Sequence, residues 1–144
     1  MDIDFLTLAD GAQVVGDKLY MLGGGWNLVK VPRFPAQHAM AIAVGISVDW
    51  AETNLRHTFK IELRKEDRAQ TLAAVAGQFE AGRPAGIQAG TTQKVLMAFS
   101  VSVLLENPGQ FSVHLFLNDR DEKRQEFHVM PSGGELPPSE APQI

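Results

Sequence analysis

Apolar and polar positions alternate in short runs along most of this chain. Phe59, Ile61 and Leu63 interleave with Thr58, Lys60, Glu62 and Arg64, which places apolar side chains on one face of a pleated strand and charges on the other. The same pattern returns in Phe111-Val113-Leu115-Leu117 and in Gln125-Phe127-Val129, and no long stretch carries an amphipathic helix repeat. The pattern predicts an all-β chain, an antiparallel β-sandwich of about eight strands.

The first strand is expected near residues 2–9, closed by Asp10-Gly11, and the second near 18–31, interrupted by Gly23-Gly24-Gly25. Three glycines within a strand predict a bulge, a bend or a close backbone approach. Pro32-Arg33-Phe34-Pro35 reads as a connection, because each proline lacks a ladder donor. A third strand, about 38–48, sets Met40, Ile42, Val44, Ile46 and Val48 against Ala39, Ala41, Ala43, Gly45 and Ser47. Its large residues are expected to face the core and its small ones to lie under something close. Strands follow at about 55–65, 70–80 and 94–105, with a charged turn at Lys65-Glu66-Asp67-Arg68 and a long Gly/Pro-punctuated loop from Ala81 to Gln93. Asn107-Pro108-Gly109 leads into a hairpin, Phe111–Leu117 and Arg124–Met130 around a polar turn at Asn118–Lys123.

A chain of 144 residues can bury a self-sufficient core, and one domain, residues 1–130, is expected. Residues 131–144 are too rich in Pro, Gly and Ser to join it and are expected to form a loose tail. With 44% hydrophobic and 21% charged residues the composition is that of a soluble globular protein. Net charge is −4 with Lys and Arg scattered, so nucleic acid is not an expected partner. The absence of cysteine excludes disulfides and thiol chemistry. The acidic start Met1-Asp2-Ile3-Asp4 and the lack of a run approaching ~20 apolar residues predict a cytoplasmic protein that does not engage a membrane.

Candidate chemistry is sparse. No Lys-Ser/Thr follows the triple glycine, so a phosphate cradle is not expected there. His38, His57, His114 and His128 are the plausible soft-metal ligands. Pairing Leu115 with Phe127 would set His114 opposite His128, with Cβ atoms about 5 Å apart; two ligands on a sheet face fall short of a site, and no metal or other cofactor is expected. Ser47, Ser100, Ser102 and Ser112 sit in strand patterns without a glycine-flanked elbow, so no Ser-His-Asp nucleophile is nominated and the protein is read as non-enzymatic. Asp119 and Asp121 lie where a hairpin turn is expected, a common place for Asp.

Asp49-Trp50-Ala51-Glu52-Thr53-Asn54 is the best binding candidate by elimination. A loop Trp supplies large rigid area with one donor, as at interface hot spots, though it also serves to plug the end of a sandwich. Trp50, Glu52 and Asn54 are the expected partner- or ligand-binding residues, joined by Trp26, Arg33 and Phe34 if their loops gather at one end.

Asp4-Phe5-Leu6-x-Leu8-Ala9-Asp10-x-Ala12-Gln13, Gly16-Asp17-Lys18-Leu19-Tyr20-Met21-Leu22-Gly23-Gly24-Gly25-Trp26 and Trp50-x-Glu52-Thr53-Asn54-x-Arg56-His57 resemble the pattern of a family of small bacterial proteins, often actinobacterial, known as a domain of unknown function. The resemblance spans residues 2–130 and implies a bacterial cytoplasmic β-sandwich without assigned catalytic residues. The closing hairpin after Pro108-Gly109-Gln110-Phe111 is also similar to the last hairpin of immunoglobulin-like modules, a likeness of fold alone. The combined expectation is an immunoglobulin-like sandwich acting as a protein-interaction or structural module. Its partner would be another protein or a second copy of itself, engaged through apolar residues on the second face of strand 94–105 and through Phe116. A small-ligand site around Trp50 and the Ala81–Gln93 loop is the alternative.

Overall fold

The computed structural model describes residues 1–66 and 70–133. Among them the chain forms nine strands: β1 Asp2–Val15, β2 Lys18–Gly24, β3 Leu28–Val31, β4 Ala36–Val48, β5 Arg56–Lys65, β6 Gln70–Glu80, β7 Gln93–Leu105, β8 Gly109–Leu117 and β9 Arg120–Pro131. The end of the turn expected at Lys65–Arg68 and the tail beyond Gly133 lie outside the described residues.

Two sheets result, one ordered β2-β1-β4-β7 and one ordered β3-β9-β8-β5-β6. The strands β4, β7, β5, β6, β8 and β9 take the places of B, E, C, C′, F and G in an immunoglobulin-like sandwich. A parallel β3·β9 pair flanks the second sheet, while the other pairings are antiparallel.

The expected alternation builds the core. Met40, Ile42, Val44, Ile46 and Val48 of β4 face Ile61, Leu63, Phe111, Val113 and Leu115 of the other sheet, all buried. Phe111 and Phe127 stack with centroids 5.5 Å apart, and Trp26 closes on Phe127 edge-on at 6.2 Å. The small face of β4 is covered as expected: Ala41 and Ala43 are buried, and the ring of Phe5 lies on Gly45. On the opposite flank, edge strands β6 and β7 leave the sandwich partly open, with Leu72, Val75, Met97 and Phe99 half-buried.

Three strand expectations are corrected. Asp10-Gly11 does not end β1; it marks where the strand leaves β4, its pairing with β4 ending at Ala9↔Ala41, and goes on to pair with β2 as far as Val15↔Lys18. The resulting hairpin is an arm. Gln13, Tyr20 and Leu22 on its flank line an open groove with Ser100, and Asp17 at its tip lines another with Lys94–Leu96, so the arm lies beside β7. Residues 18–31 are two strands in different sheets, because Gly23 and Gly25, at φ +58° and +90°, turn the chain out of one sheet and into the other. The last hairpin closes on the two residues Asn118-Asp119, both at positive φ as a tight primed turn requires. Arg120–Lys123 therefore belong to β9, and His114 opposes Arg124 while His128 opposes Gln110. The His114–His128 pair does not form.

Candidate functional site

The segment after β4 folds into one turn of 3₁₀ helix, Trp50–Glu52. Thr53 Oγ1 donates to the Trp50 carbonyl at 2.6 Å. Arg83 stacks its guanidinium 3.8 Å from the Trp50 ring centroid, donates through Nε to Thr53 Oγ1 at 2.6 Å, and donates through Nη2 to the Trp50 carbonyl at 2.8 Å. Asn54, at φ +59°, gives its backbone N–H to the Ala81 carbonyl. Buried His57 donates from Nε2 to the Glu52 carbonyl at 2.9 Å and accepts at Nδ1 from Asn118 Nδ2 at 3.1 Å, which fixes its tautomer. The Glu52 carboxylate receives the Met1 ammonium at 2.5 Å, and this contact is the main reason that the amino group titrates above its ordinary range. The Trp50 loop is thus cross-braced to β5, to the segment after β6 and to the β8–β9 turn.

Trp26, Arg33 and Phe34 do not join it. They lie before the start of β4, and Trp50 follows its end, a separation of roughly 40 Å at about 3.3 Å per residue. Trp26 packs on His38 and Phe127, Phe34 is half-buried against the core, and Arg33 is exposed. Trp50, Glu52 and Asn54 do come together, as braces of one end of the sandwich.

The outer face of the β5, β8 and β9 sheet holds an arrangement that sequence reasoning missed. Ser112 Oγ donates to His114 Nε2 at 2.9 Å, and His114 Nδ1 donates to Asp121 Oδ2 at 3.1 Å. Ser112 and His114 share a face because they are two apart on a strand, and the tight turn brings Asp121 opposite Phe116, beside them. That spacing, Ser-x-His before a hairpin turn, is the signal that sequence offered. The order of groups is that of a Ser-His-Asp relay, yet the Ser112 side chain is wholly buried and sits mid-strand. This run of hydrogen bonds gives the buried Ser112 and His114 side chains their partners. Beside it Phe116 lies under Lys60, whose Nζ is 4.6 Å from the ring centroid, and under Arg64. Lys60 and Arg64 also flank Glu62, and the Arg64 hydrogen bonds foremost hold that carboxyl below its ordinary range. Phe116 is therefore a covered ring, not an open apolar patch.

Open apolar surface is found on the arm. Tyr20 and Leu22 are 56% and 77% exposed, Val15 is half exposed, and Val14 and Met21 are little less open. By register, Gln13, Tyr20, Val15, Lys18 and Leu22 share one face and Ala12, Met21, Val14 and Leu19 the other, so both faces of the arm are apolar. Strand β2 is also the free edge of its sheet. Among the strand-94–105 residues expected to mark a partner surface, Leu104 is exposed, while Leu96 and Ala98 are half-buried.

Among the described residues no group of three or more His, Cys, Asp or Glu is placed to hold a metal ion, and no helix is long and apolar enough to cross a membrane. Fold and surface together define an immunoglobulin-like sandwich elaborated by an N-terminal hairpin arm. The chain belongs to the family of unknown function DUF6941, whose model matches residues 4–130. No curated protein matches it.

Proposed function

We propose that the protein is a non-catalytic interaction module that self-associates through the β1–β2 arm. The observation that carries this reading is the edge strand β2 with Tyr20 and Leu22 exposed on its flank. Sheet edges are ordinarily blunted by charge, proline or brevity, because a free row of backbone groups recruits another strand. Over seven residues β2 offers Lys18 as its sole charge and no proline. Two copies joined edge to edge about a two-fold axis at Met21 would set each Tyr20 opposite the other copy's Leu22. Such aromatic–aliphatic cross-strand pairs stabilise a sheet, and the two four-stranded sheets become one.

The alternative, a small-ligand site at Trp50, finds less support, because Arg83 already occupies the indole face and Glu52 the Met1 ammonium. Light scattering after size exclusion tests the proposal. The expected result is a dimer at micromolar concentration that Leu22→Asp converts to monomer. A wild-type monomer up to hundreds of micromolar would overturn it.

A further inference from the structure

His38 stands at the start of β4 on the face shared with Met40, and Trp26 meets it edge-on with ring centroids 6.2 Å apart. The His38 Nε2 and the Trp26 Nε1–H are both buried and neither has a hydrogen-bond partner. The charged group that acts on this imidazole is Asp10. Val103, across from His38 on β7, and Phe127 of β9, on Trp26, carry no charge. Asp10 stands at the root of the arm, between the Ala9↔Gly24 and Gly11↔Leu22 pairs. Its carboxylate fills the space over Gly23, where a Cβ would fall 2.3 Å from Oδ2.

We propose that His38, Trp26 and Asp10 form a proton-operated latch at the root of the arm, regulating the self-association surface described above and resting on that reading for its use. A neutral imidazole can present an acceptor to the indole N–H. A protonated one is a donor at both nitrogens and finds in Trp26 only a second donor. A buried cation without an acceptor is costly, and Asp10 is the carboxylate at hand. When it turns to His38 it leaves Gly23, and the packing of Asp10 on Gly23 at the root of the arm is lost. Burial already holds His38 below its ordinary range, against the pull of Asp10, so the switch lies below the pH at which a free imidazole takes its proton.

The test uses Trp50→Phe, which leaves Trp26 as the sole indole of the two in the chain. Trp26 emission is expected to titrate with a midpoint below the ordinary imidazole value of 6.5, and His38→Gln is expected to abolish the change. Amide exchange in Gly11–Gly24, corrected for the pH dependence of the chemistry, should speed about tenfold on the acid side in wild type and not in His38→Gln. Because Trp50→Phe could weaken the fold, the same titration is read in wild type from the His38 imidazole proton resonance. A flat emission and an arm whose exchange ignores pH would overturn the latch. A monomeric wild type at neutral pH would instead overturn the self-association reading and leave the latch measurements standing.

Discussion

The ring of Phe5 rests directly on Gly45: a Cβ built at Gly45 would lie 2.3 Å from Phe5 Cε1 and 2.7 Å from Cζ. The two residues are cross-strand partners of β1 and β4, so the glycine is the socket for the ring. Gly45→Ala should destabilise the fold by about 1–3 kcal/mol through overpacking, read from the urea midpoint. Trimming the ring in Phe5→Leu/Gly45→Ala should recover part of that loss, and additive losses would mean that the contact does not set the fit.

Arg83→Ala should cost about 1–2 kcal/mol, since it removes a cation–π contact and leaves the buried Thr53 hydroxyl without its Arg83 donor. Trp50 emission should shift to the red as the indole face opens to water. An unchanged spectrum and midpoint would show that the brace contributes nothing.

Ser112→Ala should destabilise by about 1–2 kcal/mol, because the buried His114 Nε2 loses its donor. The hydroxyl should also fail to react with an activated acyl phosphonate, whereas stoichiometric labelling of Ser112 in folded protein would mark it as a nucleophile.

Stability should fall in two stages as the solution is acidified. His38 has a folded value below the ordinary 6.5 because burial disfavours its charge. The unfolded chain therefore takes the proton first, and stability is whole above pH 6.5 and declines below it until the folded imidazole also titrates. Glu62 and Asp4 are held below their ordinary 4.5 and 3.8, foremost by hydrogen bonds from Arg64 and from Lys94. Their contribution is present above those values and is lost as pH falls through the folded ones. The urea midpoint against pH should lose its first stage in His38→Gln and part of its second in Glu62→Gln. Since Asp4 is exposed to solvent, 0.5 M salt should remove its share.

Much of the architecture was readable from alternation alone. The runs around Met40–Val48, Phe59–Leu63 and Val95–Leu105 set their large core residues at every second position and landed on β4, β5 and β7 within a residue or two. Legibility failed where the chain changes partner without changing pattern. Asp10-Gly11 looks like a terminator, but β1 merely passes from β4 to β2 there. Arg120–Lys123 looks like a loop because a strand whose outer face meets water is polar, and that misreading moved the β8–β9 register by four residues. Trp50 was found by its residue type, and its bracing by Arg83, thirty-three residues on, has no local mark. The exposed side of the arm was hidden for the same reason: Tyr20-Met21-Leu22 is an apolar run like those of the buried strands, and only the fold leaves it outside.

The parallel pairing of Leu28–Val31 with His128–Pro131 has a consequence for synthesis. A ribosome delivers β3 about one hundred residues before the strand that it must lie beside, and Phe127, against which Trp26 and Phe111 rest, comes with that late partner. A nascent chain stalled before residue 120 thus lacks β9, and with it the neighbour of both β3 and β8. The sandwich can close only once β9 has been made, and until then the apolar faces of its earlier strands lack their full cover.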